Sequence, residues 1–298
     1  MSEVEMNSSG SRPTIISLGE VLWDLFSDGA QFGGAPANFA CHAALLGGDV
    51  CMLSAVGNDD RGREAIGILS RYGIDVSLVQ VIDDSATGCV GVDVDEDGKP
   101  TFTIHEESAW DRIGQSDELD SRVSDADLIY FGTLGQRAEL SWATIRRVLE
   151  VASANKIPRV LDVNLRAPFY DADMIRDSIE SASILKLSDD ELGEVLTALC
   201  IDEDATESAL RALLAVGGLE MIIMTRGSDG ALLVTESETL DQAGVSTTVV
   251  DTVGAGDAFT ASFVIGLLSG EAHGNCLVEA CKVATATCRH AGAVPATG

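Results

Sequence analysis

The 298-residue chain reads as one α/β domain, a mainly parallel sheet flanked by helices on both faces, with a small β lid. Two observations predict this. Short apolar runs alternate with amphipathic segments through the C-terminal two thirds, the pattern of successive βαβ units. A hairpin signature, two β-rich runs around DEDGKP, sits inside that otherwise parallel pattern at residues 87–105.

Taken in order, TIISLGEVLWDLF (14–26) contains a strand, and APANFACHAALLGG (35–48) is a helix ended by its glycines. The runs DLIYFGTL (127–134), RVLDVNL (159–165), SILKLS (183–188) and LEMIIMTR (219–226) are strands. Helices are predicted over 140–155, 189–199 and 205–216, followed by two closing helices over 255–268 and 275–290. Residues 14–298 form the domain, with lid segments around 22–33 and 87–105, and the polar stretch 1–13 reads as a disordered tail.

Composition narrows the function. A net charge of -29 repels nucleic acid and anionic membranes. It describes a solvated acidic surface or adaptation to a salty cytoplasm, and either way an anionic ligand needs a local donor cluster or a metal. The seven cysteines show no CxxC pair or zinc spacing, and read as thiols in a reducing, cytoplasmic setting. No run of about eighteen apolar residues suggests a membrane span.

The chemistry concentrates in DTVGAGDAF (251–259). Gly254, Ala255 and Gly256 precede an apolar helix, so the amides of 254–257 can converge on an anion at a helix N-terminus. No Walker lysine is present; Asp257 stands there instead. A carboxylate at such a place suits a base that takes a proton from an attacking hydroxyl. An ordinary acid in the first helical turn explains it equally well. In GGAPANFA (33–40), Gly33 and Gly34 allow close backbone approach and Asn38 offers both donor and acceptor, although a strand-to-helix turn needs the same residues. LDVNLR (161–166) puts Asp162, Asn164 and Arg166 at alternate positions, hence on one side of an extended segment. Ser188 and Glu191 form a capping box.

DTVGAGDAF resembles the C-terminal signature of the ribokinase-like (PfkB) carbohydrate kinases, and GGAPANFACHAALLGGDVCMLSAVGND (33–59) resembles their N-terminal one. The two lie in the right order, more than two hundred residues apart, and the resemblance runs from about Thr14 to the end. It implies a ribokinase-like fold and an ATP-dependent sugar kinase, with Asp257 as general base and the amides of Gly254, Ala255 and Gly256 holding charge on the transferred group. It places Asp24, Gly33, Gly34, Asn38, Arg166 and Asp257 around the sugar. Lys186, Ser188, Thr225, Gly227, Gly230, Gly254 and Gly256 are expected along ATP. Glu191 and Asn164 fall in the Mg²⁺ region, acting through water, and Asp251 and Val253 at a monovalent cation such as K⁺. Ser188 departs from the asparagine usual in the family at that position.

GGAPANFA, GTLGQR (132–137) and IHEESAWDRI (104–113) resemble fructokinases. No basic cluster for a sugar phosphate is apparent, so fructose is the expected substrate. Ribose, 2-keto-3-deoxygluconate or a nucleoside are the alternatives, with a non-catalytic sugar- or nucleotide-binding protein as the other class. A homodimer through the lid strands is a further expectation of the resemblance.

Overall fold

The computed structural model describes residues 12–27, 29–94 and 100–295. The expected tail falls almost wholly outside these residues, as does the tip of the hairpin at 95–99. The chain opens with β1 (Thr14–Leu18), β2 (Leu22–Phe26), β3 (Gly29–Gly33), α1 (Ala35–Leu45), β4 (Asp49–Gly57) and α2 (Asp60–Arg71). Next come β5 (Val79–Ile82), β6 (Gly88–Val94), β7 (Pro100–Ile104), α3 (Leu119–Ser124), β8 (Leu128–Gly132) and α4 (Glu139–Ala154). Then follow β9 (Arg159–Asp162), α5 (Ala172–Glu180), β10 (Ile184–Ser188), α6 (Asp189–Ala198), α7 (Thr206–Gly217) and β11 (Met221–Thr225). The chain closes with β12 (Ala231–Thr235), β13 (Thr239–Gln242), α8 (Ala255–Leu268) and α9 (His273–Thr287).

Nine strands form the large sheet in the order β13-β12-β11-β10-β9-β8-β1-β4-β5, parallel except where β12 runs against both of its neighbours. The apolar runs of β8, β9 and β10 are buried on both faces, as a parallel sheet under two helical layers requires. Alternate strand residues feed two cores. Leu161, Leu185 and Leu187 join Ile145, Val148 and Leu213 under the α3–α7 layer. Val160 and Ile184 join Phe39, Phe259 and Phe263 under α1, α2, α8 and α9. Each fully buried leucine, isoleucine or phenylalanine contributes about 1.5–3 kcal/mol, so these layers fix the sheet firmly. Tyr130 of β8 stacks on Phe39 of α1, ring centroids 3.8 Å apart, which pins α1 over the centre of the sheet.

The lid is a separate four-stranded sheet, order β3-β2-β6-β7. The segment 14–26, expected to contain one strand, holds two: β1 stays in the large sheet, Gly19–Val21 break the run, and β2 crosses into the lid. Gly19, at φ 141°, makes that departure without the strain a side chain would meet. No described helix is long and apolar enough to cross a membrane.

Candidate active site

The segment 250–254 reaches α8 by a braced turn. The amides of Val250 and Asp251 donate to Cys288 O, and the Asp251 carboxylate accepts the amides of Val253 (3.0 Å) and Gly292 (2.9 Å). Gly254 then takes φ 77°, where an added Cβ would stand 2.3 Å from Ala293 O, so only glycine fits. Helical bonding begins with Ala258 N–H to Gly254 O, which leaves the amides before it at the helix mouth. One of the four amides expected to converge there is otherwise engaged: Ala255 N–H donates to Thr252 O at 3.2 Å within the turn.

Asp257 lies in the first turn of α8, 9% exposed. Its Oδ2 accepts a 2.9 Å hydrogen bond from Asn38 Nδ2 on α1, which joins the two sequence motifs through side chains 219 residues apart. Burial and the nearby Asp162 carboxylate push its pKa up to about 7, against the opposing pull of Asn38, Lys186 and Arg166. A carboxylate with that pKa is poised to accept a proton near neutral pH.

Beside it, Gly34 opens α1 at φ 104°, and a Cβ there would come 2.5 Å from Glu20 O. On the lid, Asp24 sits within β2 opposite Gln31 of β3, and a Cβ on Gly33 would lie 2.7 Å from its Oδ2. Burial raises the Asp24 pKa to about 6 while Arg166 pulls it down. Gly33 thus abuts Asp24, Asn38 joins Asp257, and the charge of Arg166 acts on both carboxylates.

The alternation predicted for LDVNLR stops early. β9 ends at Asp162, and Asn164 adopts φ 40°, so 162, 164 and 166 do not share one extended face. Asp162 points into the core beneath α8, 1% exposed. There it accepts from Lys186 Nζ at 3.0 Å and from Tyr130 OH at 3.3 Å. The cause is register: Asp162 is paired with Lys186 across β9 and β10, so both side chains leave the same face of the sheet. An added Cβ on Gly256 would lie 3.2 Å from Lys186 Nζ, which places this ammonium under the glycine loop. The cation missing from the loop therefore arrives from strand β10.

The capping box holds as expected: Glu191 accepts both the amide and the hydroxyl of Ser188 at 2.8 Å, and also Leu165 N–H at 2.7 Å. Among the described residues, no group of three or more His, Cys, Asp or Glu is arranged to hold a metal ion. Both carboxylate oxygens of Glu191 are thus engaged within the protein.

Thr225 ends β11, and Gly227 and Gly230, at φ 51° and 95°, shape the turn into β12. An added Cβ on Gly230 would strike Gln242 O at 2.0 Å, so this turn lies flush against the segment after β13. It is both a tight connection and a smooth wall near the end of the sheet. Sequence reasoning passed over Glu20, whose buried carboxylate has its pKa raised to about 7, chiefly by burial, with Arg166 lowering and Asp257 raising it. An acid inside TIISLGEVLW, an otherwise apolar run, was the signal.

The model of the pfkB family carbohydrate kinases matches residues 15–297, nearly the whole chain. The chain belongs to the pfkB carbohydrate kinase family. Relatives within it include an ATP-dependent 6-phosphofructokinase of Thermoanaerobacterium thermosaccharolyticum, 26% identical over 94% of this chain and 89% of its own. Fructokinase-2 of Zea mays is 27% identical over 85% of this chain and 79% of its own. An uncharacterised sugar kinase of Pyrococcus horikoshii, solved in complex with ATP, superposes with a TM-score of 0.79 at 25% identity, covering 94% and 93% of the two chains. The ribokinase-like fold expected from sequence is therefore present, and the chain is an ATP-dependent pfkB-type sugar kinase.

Proposed function

We propose that this kinase transfers the γ-phosphoryl group of ATP to a primary hydroxyl of fructose, with Asp257 as the general base. The observation that carries the reading is Asp257 itself: buried at the mouth of α8, oriented by Asn38, and with its pKa raised to about 7. The sugar rests against Gly33 and Gly34, with Asp24 and Asn38 gripping hydroxyls. Its reacting O–H donates to Asp257 as that oxygen attacks the γ-phosphorus and the bond to the β-phosphate breaks. The proton passes to the carboxylate, and ADP leaves. The free amides at the start of α8, with Arg166 and the Lys186 ammonium beneath Gly256, stabilise the charge spread over the transferred group.

Glu191 and Asn164 would hold Mg²⁺ through water, and the ion would supply charge neutralisation for the phosphates. Ser188, Thr225, Gly227 and Gly230 line the nucleotide in the same reading. The Asp251–Val253 turn offers K⁺ only shared ligands, because both Asp251 oxygens already accept backbone amides. The lid ends in two open edges, β3 and β7, through which a homodimer would pair. Seven unpaired cysteines fit a reducing cytoplasm.

A 6-phosphate acceptor is the second reading, favoured by the name of the Thermoanaerobacterium relative. Against it, two arginines near the lid base are committed: Arg137 to Asp111 and Arg112 to Asp84. Purified protein with Mg-ATP and a panel of fructose, fructose 6-phosphate, ribose, 2-keto-3-deoxygluconate and a nucleoside decides between them by ADP release. The highest kcat/KM is expected with fructose; a preference for fructose 6-phosphate transfers the assignment to the second reading.

A further inference from the structure

Two polar side chains of α1, Asn38 and His42, are buried one turn apart, each 4% exposed. Residues four apart share a helix face, and α1 packs along α8. Asn38 reaches Asp257, whereas His42 has no part in the chemistry above. Its Nε2 lies 2.9 Å from Ala293 O in a buried contact. A carbonyl oxygen only accepts, so Nε2 carries the proton and donates. Burial lowers the His42 pKa, which favours the neutral ring.

Ala293 belongs to the segment 291–295 after α9, and this segment touches several parts of the site. An added Cβ on Gly254 would stand 2.3 Å from Ala293 O and 2.7 Å from Ala293 Cα, so the segment lies directly on the turn that opens α8. The Gly292 amide donates to Asp251 Oδ2 at 2.9 Å, bracing the same turn from its other end. Tyr72 OH, just past α2, donates to Pro295 O. A Cβ on Gly292 would lie 3.8 Å from Gln31 Oε1 on lid strand β3. Ala40, Cys41 and Ala43 beside His42 are all buried and apolar, and packing alone would accept an aliphatic side chain here. A polar ring kept in such surroundings points to its hydrogen bond.

We propose that His42 is a positioning residue for phosphoryl transfer: through Ala293 O it holds the C-terminal segment on Gly254 and so aims the amides at the mouth of α8. The proposal rests on the sugar-kinase reading above. In that reading the turn meets the transferred group rather than the sugar, so loosening it lowers kcat and spares the sugar KM. His42→Leu removes the donor, whereas His42→Gln keeps an N–H at about the same reach. His42→Leu is expected to lower kcat about tenfold, the scale of one buried hydrogen bond, with the sugar KM within about twofold of wild type. His42→Gln restores most of kcat. Should His42→Leu not fold, His42→Met, which also lacks the donor, is held to the same criteria.

Two readouts need no turnover. Nitrogen NMR of the wild-type imidazole is expected to show the proton on Nε2, and hydrogen exchange at the Gly292 amide accelerates in His42→Leu but not in His42→Gln. They separate failure of this proposal from failure of the kinase reading, which shows as a wild-type enzyme with no sugar-dependent ADP release. An Nε2 without its proton, or Gly292 exchange unchanged in His42→Leu, overturns the proposal. So does an unchanged kcat in the variant without the donor, with or without a higher sugar KM, or a His42→Gln variant as impaired as His42→Leu.

Discussion

Replacing Asp257 with asparagine separates catalysis from folding. The amide is isosteric, and its oxygen can keep the hydrogen bond from Asn38 Nδ2, now 2.9 Å long. Loss of a general base costs at least ~100-fold in kcat, or roughly 2.7 kcal/mol of transition-state stabilisation. Stability moves the other way. A pKa raised from 3.8 to about 7 means that the folded state resists ionising this group. The penalty is absent below the unfolded pKa, grows as pH rises between the two values, and is complete above about 7; its upper bound is about 4 kcal/mol. Asp257→Asn is therefore expected to raise Tm by several degrees at pH 8 and to leave it unchanged near pH 4. Single-turnover ADP formation and thermal melts at both pH values measure the two effects. Turnover within tenfold of wild type, or a lower Tm at pH 8, refutes the reasoning.

The same carboxylate governs pH dependence: kcat/KM is expected to fall as pH drops through about 7, while a profile flat from about pH 5 to 8 contradicts a base of this kind. Because the Asn38 hydrogen bond lowers the Asp257 pKa, Asn38→Ala moves that acid limb to higher pH, and a shift to lower pH excludes the assigned contact. Lys186→Met leaves Asp162 buried without its cation, costing about 3–5 kcal/mol in urea unfolding. Adding Asp162→Asn recovers most of that loss; a double variant no more stable than the single one removes the pair from the account. Gly34→Ala forces a side chain onto φ 104° and against Glu20 O, destabilising by at least about 1 kcal/mol and raising the sugar KM, whereas wild-type KM and stability deny the close approach.

Contiguous features were legible in the sequence. DTVGAGDAF declared a glycine turn, a helix start and an acid in one stretch, and the structure places them so. Lys186 was expected along ATP, but its pairing with Asp162 was hidden because it depends on register between β9 and β10. Alternation failed at Asn164, where the backbone turns to positive φ and strand logic no longer applies. The segment 14–26 looked like one strand-bearing run because both β1 and β2 are apolar; only Gly19 and Glu20 mark the place where one sheet gives way to another. Glu20 itself went unread, since a single acid within an apolar run has no spacing to a second residue that would mark it.

The most direct measurement of the central claim is the fate of the phosphoryl group. Enzyme, Mg-ATP and fructose are incubated, and the product is examined by phosphorus NMR alongside ADP. The account predicts one ADP per fructose consumed and a phosphate ester on a primary carbon. ADP released equally with and without fructose, or an ester on a secondary hydroxyl, contradicts it.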